Sequence, residues 1–146
     1  MVDGGNARIR RIPASGNPIQ TIAGNGQYAS AGDGGLATAA SISVFVGVAA
    51  DSAGNVFFSE GGRIRRVDAA TGIVATIAGG NIGGFAGDGG AALSARFADA
   101  EGMAADSLGN IYFADLLNHR IRLLSPPSAT PLITSIDTSR LRFPAV

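Results

Sequence analysis

Residues 104–122 read AADSLGNIYFADLLNHRIR, and residues 49–66 read AADSAGNVFFSEGGRIRR. The two stretches share one grammar. An apolar run ends in Asp. A turn follows, in which Asp and Ser bond their own backbone and Gly supplies positive φ. Next comes a short β-branched and aromatic run, which reads as a strand. A corner follows, GG in one copy and LLNH in the other. Arg then alternates with apolar residues on a further strand.

Other segments repeat at the same spacing. TIAG occurs at 21–24 and 76–79, AGDGG at 31–35 and 86–90, and RIRR at 8–11 and 63–66, each pair 55 residues apart. A third RIR at 120–122 lies 57 residues on, because DLLNHRIR is two residues longer than EGGRIR. Several separate segments sharing one offset mark an internal structural repeat. The start of the chain fits the same frame. DGGNARIRRI (3–12) aligns with DLLNHRIRLL (115–124), so that Asp3 falls on Asp115, Asn6 on Asn118, Arg8 on Arg120 and Arg10 on Arg122. The expectation is a chain that opens mid-repeat, without the first strands of its first copy.

One copy, 44–79, divides into four short runs: VFVGVAAD, NVFFSE, RIRRVD and IVATIAG, separated by DSAGN, GG and AATG. Four short antiparallel strands at a fixed period predict a β-propeller blade. A solenoid is the competing architecture, but its turns seldom hold four antiparallel strands. Between copies lie AGDGGLATAASIS (31–43) and AGDGGAALSARFA (86–98). Their Ala content predicts a short helical turn after the Gly loop. The Asp of each loop, Asp33 or Asp88, is expected to accept backbone N–H groups near the start of that turn.

The pattern EGMAADSLGNIYFADLLNHRIRLL (101–124), preceded by TGIVATIAG and GFAGDGG, resembles the NHL repeat. The resemblance covers residues 1–125 and implies an all-β, partial NHL-type propeller, with blades of a kind that commonly closes a six-bladed ring. The chain would supply about two and a half blades. These are a partial blade (1–24), a full blade (25–79) and a third blade (80–125). The family's D-x-x-N-H corner is shortened to EGG in the second copy, which predicts a tighter hairpin there. PPSATP after Ser125 reads as a linker or break. LITSIDTSRLRF (132–143) reads as a last strand or as the start of another domain; because no TG-x-x-x-TIAG follows, the second is favoured, and 126–146 is expected to be linker and tail or the start of a following domain.

Composition narrows the function. The 146 residues carry 11 basic and 11 acidic side chains, a formal net charge of zero. Every basic residue is Arg. A balanced chain has no overall attraction for nucleic acid or anionic membrane. There is no Cys, hence no disulfide or thiolate chemistry. No apolar run approaches the ~18 residues that span a bilayer.

The candidate residues each have a functional and a structural reading. Arg8, Arg10, Arg63, Arg65, Arg120 and Arg122 could line a surface for an anion or RNA. Their recurrence in every copy favours pairing with Asp3, Glu60 or Asp115 between packed strands. Asp51 and Asp106 open the strand-one turns. The AGDGG loops bring one Asp each, a thin ligand set for calcium, and no GK[ST] follows them as in a phosphate loop. His119, the only histidine, matches the turn position of the family's NHR corner with Asn118. A ring nitrogen satisfied in the turn is expected there, and a single His does not make a typical zinc site or a catalytic triad. Phe57, Phe58, Tyr112 and Phe113 read as core between blades more than as a platform for bases. Asp99 and Glu101 are different. The earlier copy has Val44 and Val46 in their place, so this acidic pair stands outside the repeat. It is the best candidate for a ligand contact, at the entrance of a first strand.

The sequence therefore predicts a non-catalytic binding or scaffold module, with no catalytic, cofactor or metal site on this chain. The partner would be a protein or other ligand, with self-association through open blade edges. One alternative is part of a propeller lyase or hydrolase whose channel metal site is completed elsewhere. Another is an RNA-binding propeller, which the charge balance disfavours. The resemblance to Gly-rich bacterial arrays implies an exported parent protein, though no signal peptide is read on this stretch.

Overall fold

The computed structural model describes residues 1–16, 18–43, 47–80, 82–125 and 132–136. Three antiparallel sheets follow one another along the chain. The first holds β1 (Val2–Asp3), β2 (Arg8–Arg11) and β3 (Gln20–Ala23). The second holds β4 (Val48–Ala50), β5 (Val56–Glu60), β6 (Arg63–Val67) and β7 (Val74–Gly79). The third holds β8 (Ala100–Ala105), β9 (Ile111–Asp115), β10 (Arg120–Ser125) and β11 (Leu132–Ile136). Each sheet is a meander in chain order. The fold is all-β and partially propeller-like.

The turns form for the reasons their residues suggest. Asp51 accepts the Asn55 backbone N–H at 2.9 Å and its side-chain amide at 2.8 Å; Asp106 holds Asn110 at 2.9 and 2.7 Å. Gly54 and Gly109 supply the positive φ. The corner after the second strand also needs a left-handed residue. Gly61 provides it in the second sheet (φ 55), His119 in the third (φ 55) and Ala7 in the first (φ 47).

The glycine of TIAG is required twice over. Gly24 and Gly79 have φ 95 and 71, and a Cβ on either would lie 2.1 Å from a carbonyl oxygen, of Ala7 or Gly62. The fourth strand ends where it meets the corner of its own sheet, and only a bare backbone fits.

Two expectations are corrected. Leu132–Ile136 does not begin a following domain. It pairs antiparallel with β10 along five residue pairs and completes the third sheet. The residues differ from TIAG but do the same work. Ile133 is fully buried, and it exchanges backbone bonds with Gly89 and Gly90 as Val74 does with Gly34 and Gly35. The segments 126–131 and 137–146 lie outside the described residues. Asp33 and Asp88 do not cap the inter-sheet turns, which are 3-10 turns at Ala37–Ala39 and Ala92–Ser94 without a side-chain cap.

The core sits between sheets. Ile9, Ala23, Ala37, Ala40, Ile42, Phe58, Val67 and Val74 form one apolar cluster between the first and second sheets. Phe57, Ile64, Ala78, Phe97, Phe113, Leu124 and Ile133 belong to its counterpart between the second and third. Adjacent Phe57 and Phe58 point to opposite faces of β5 and so enter different clusters. Phe97 meets Phe113 with ring centroids 5.0 Å apart, a tilted contact. Burying each such ring contributes about 1.5–3 kcal/mol. Tyr112 is only half-buried and donates to Asp106 at 3.2 Å.

Candidate functional site

The recurrent arginines fall into two groups. Arg65 and Arg122 are fully buried, each at the centre of the same network. Arg65 Nε donates to Asp33 Oδ1 at 2.9 Å, Nη1 to Glu60 Oε1 at 3.1 Å and to the Ser41 carbonyl at 3.3 Å, and Nη2 to the Ala31 carbonyl at 3.2 Å. Arg122 repeats this with Asp88 at 2.6 Å from Nη2, Asp115 at 3.4 Å, and the carbonyls of Arg96 and Ala86 at 2.6 and 3.0 Å. Each guanidinium thus fastens the inter-sheet loop to the sheet that follows it. A buried charge requires this degree of pairing.

The fourth strand supplies the last donor. Thr76 lies opposite Arg65 and gives Asp33 Oδ2 its hydroxyl at 2.6 Å and its backbone N–H at 3.2 Å. Ser135, opposite Arg122, gives its hydroxyl to Asp88 Oδ2. Partial burial pushes the Asp33 carboxyl up, but the Thr76 hydroxyl and the Arg65 charge more than offset it, and its pKa lies below the ordinary value. Asp88 is likewise raised by burial and brought below the ordinary value by Ser135 and Arg122. Glu60 and Asp115 also fix the start of the next segment, accepting the backbone N–H of Ser43 at 3.0 Å and of Ala98 at 2.9 Å.

The pairing expected for Glu60 and Asp115 is therefore present, and Asp33 and Asp88, which the sequence places in inter-sheet turns without an arginine partner, join it. The signal was in the repeat: each AGDGG recurs with its RIR. Asp3 departs from expectation. It accepts from Asn6 Nδ2 at 2.8 Å and makes no ion pair among the described residues. Its strand is two residues long, and the loop that would press it toward Arg10 in the other sheets has no described counterpart here.

Arg8 and Arg120 do a smaller job at the corners. Arg8 donates to the Asn6 carbonyl and Arg120 to that of Asn118, both at 2.9 Å. Arg63, in the shortened corner, sits 3.1 Å from Glu60. His119 is exposed, and its backbone N–H closes the corner on Leu116 at 3.0 Å. Its ring makes no hydrogen bond among the described residues, contrary to the expected satisfied nitrogen; the turn is held by its left-handed backbone and by Asn118, whose side-chain amide donates to Asp115 Oδ1 at 2.7 Å.

Asp99 and Glu101 lie at the start of β8, the edge strand of the third sheet. Asp99 is exposed and left-handed (φ 52), so simple strand alternation does not set it beside Glu101. Neither side chain makes a hydrogen bond or ion pair among the described residues. Val44 and Val46 lie outside the described residues.

Around Asp99 the loops converge. Its carbonyl accepts the Leu116 N–H at 3.2 Å, and Asn118 Nδ2 reaches the Gly84 carbonyl at 2.9 Å. The Arg120 guanidinium lies 4.0 Å from the Phe85 ring centroid. Leu116, Leu117, Ile82 and Phe85 are exposed on these loops, Leu117 and Ile82 each by about three-fifths (62% and 61%). The repeat does not predict these exposed apolar side chains. No three of His, Asp and Glu come together to hold a metal ion among the described residues. No helix of the described residues is long and apolar enough to cross a membrane.

No family model matches the chain, and no curated protein matches it. Among solved structures, it is similar to a structural genomics protein of unknown function from Bacteroides thetaiotaomicron, with a TM-score of 0.68 and 22% identity. The match covers 83% of this chain and 30% of that one. At this identity the likeness speaks to fold alone.

Proposed function

We propose that this chain is a non-catalytic binding module of NHL-repeat type, which presents its third-sheet corner to a protein or other ligand. The observation that carries the reading is a division of labour among side chains. The buried arginines and their acids are spent on joining sheets. Asp99, Leu116, Leu117 and Ile82 are exposed and take no part in those ion-pair networks, and the loops that carry them are cross-linked by backbone and Asn118 bonds. Exposed apolar side chains beside an unpaired acid, on loops that are held still, are what a recognition surface requires.

The test is a peptide and glycan array probed with the wild-type chain and with Leu117→Ser and Asp99→Asn. The reading expects a discrete set of binders whose signal falls at least about tenfold in one or both variants, with unchanged melting. Binders indifferent to both substitutions, or no binders at all, would remove it.

A further inference from the structure

The arginine that follows each corner has a fixed partner in two of the sheets. Arg8 and Arg120 each donate to a corner carbonyl, of Asn6 or Asn118, at 2.9 Å. Arg63 is their counterpart in the second sheet, where the corner is GG and holds no Asn. Its side chain is only 12% exposed, yet Nε and Nη2 are buried and make no hydrogen bond among the described residues. Nε lies 3.1 Å from Glu60 Oε1, but that oxygen already accepts the Ser30 hydroxyl at 2.6 Å and Arg65 Nη1 at 3.1 Å. Glu60 Oε2 is taken by the Ser43 N–H at 3.0 Å. A buried cationic donor without an acceptor is costly and calls for an explanation.

The two atoms narrow the chemistry. Nε and Nη2 form the side-on edge of a guanidinium, where two N–H bonds run parallel and match the two oxygens of a carboxylate. The same edge of Arg65 takes Asp33, with Nε at 2.9 Å and Nη2 at 2.8 Å from Oδ1. The same edge of Arg122 takes Asp88, at 3.1 and 2.6 Å. The approach to Arg63 is over Gly61. A Cβ there would have nothing within 4 Å, whereas one on Gly62 would lie 3.0 Å from the Gly80 carbonyl oxygen and 3.2 Å from that of Phe97. The second sheet is packed on both faces, against the first sheet and the third, so this opening belongs to the short corner itself.

We propose that Arg63 is a carboxylate-binding residue: the ligand enters over Gly61, in the place that the longer corners fill in the other sheets, and its two oxygens take Nε–H and Nη2–H. The pairing is the one this molecule already uses at Arg65 and Arg122. Arg rather than Lys suits the site, because only a guanidinium offers two parallel donors to one planar group. A carboxylate suits it better than a phosphate. Glu60, 3.1 Å from Nε, is a standing negative charge that repels a dianion about twice as strongly as a monoanion. The site lies on the second sheet and does not rest on the third-sheet surface proposed above.

The probes are sodium acetate and the blocked peptide acetyl-Gly-Asp-Gly-amide, titrated into the full chain at neutral pH, with chloride holding the ionic strength constant. The Nε–Hε resonance of Arg63 is followed by NMR and assigned by its loss in Arg63→Gln. A saturable downfield shift is expected with one or both probes, and none with acetamide, the neutral isostere of acetate. Tighter binding of the peptide assigns the carboxylate to a polypeptide side chain; equal or weaker binding assigns it to a free organic acid. Replacing Gly61-Gly62 by the Leu-Leu-Asn-His corner of the third sheet gives Arg63 its missing carbonyl. That chain should bind the probes at least about tenfold more weakly and melt no lower than wild type. No saturable shift with either carboxylate overturns the proposal. So does an equal shift with acetamide, or an affinity unchanged by the corner replacement.

Discussion

The second and third sheets solve one problem with different residues, and the comparison shows which features of the repeat matter. Glu60 in one stands where Asp115 stands in the other, and Thr76 where Ser135 stands. The corner is GG in one and LLNH in the other. The guanidinium at the centre is identical, down to the two carbonyls it reads. The repeat therefore keeps a geometry of donors and acceptors. Identity is kept at the guanidinium, where one side chain must bind two carboxylates and two carbonyls at once.

The largest effect should come from removing that centre. Arg122→Met removes the one ion-pair partner that Asp115, fully buried, has among the described residues, and should cost about 3–5 kcal/mol in urea unfolding. Arg65→Met should cost less, because the buried Glu60 keeps Arg63 at 3.1 Å. If either substitution is neutral, the likeness of the two sheets is only geometric. The next effect separates glycines. Gly79→Ala should cost more than the ~1–2 kcal/mol of a left-handed residue. Its Cβ would also lie 2.1 Å from the Gly62 carbonyl and 2.7 Å from the Phe97 ring. Gly16→Ala, at φ 79 with nothing within 4 Å, should cost no more than the left-handed term.

Acid should loosen both clamps together. Asp33 and Asp88 have lowered values in the folded chain. Their contribution is fully present above the unfolded carboxylate value of about 3.9 and drains as pH falls through the lower folded values. Melting followed downward from about pH 6 should fall most steeply below about pH 4, and less steeply in an Asp33→Asn/Asp88→Asn chain. Equal slopes would mean that other carboxylates set the acid limit. The smallest effect on stability should come from the exposed corner. Leu117→Ser should move unfolding by less than about 0.5 kcal/mol, measured on the same urea series.

The blades were legible in the sequence because their cues are local and repeated. Asp-Ser-x-Gly-Asn makes its own turn, and alternation in RIRR and NVFFSE needs nothing distant. What escaped depends on contacts between remote segments. Asp33 and Arg65 are far apart in sequence, and no local rule joins a turn aspartate to a strand arginine. The repeat alone held that information, in the joint recurrence of AGDGG and RIR. The fourth strand of the third sheet is only the less favoured of two sequence readings, for the opposite reason. Leu132–Ile136 keeps the pairing and the buried Ile133 but not the TIAG letters, so motif alone favours a following domain where register and burial define a strand. The exposed apolar residues near the third-sheet corner escape because they are not repeated. Asp99 and Glu101 stood out in sequence only by breaking the pattern, and Leu116, Leu117 and Phe85 gained meaning once the loops were placed together.

The most direct test of the account is a pair of double-mutant cycles run side by side, Arg65 with Asp33 and Arg10 with Asp3, each residue replaced by Ala and followed by urea unfolding. The loss of the Arg65–Glu60 contact cancels within the first cycle, which leaves the clamp itself. Asp33 is partly exposed, so solvent screens the pair, and a coupling on the order of 1 kcal/mol is predicted for it. Additivity is predicted for Arg10 and Asp3. Additivity in the first cycle, or equal coupling in both, would contradict the claim that the loop aspartate and the buried arginine join one sheet to the next.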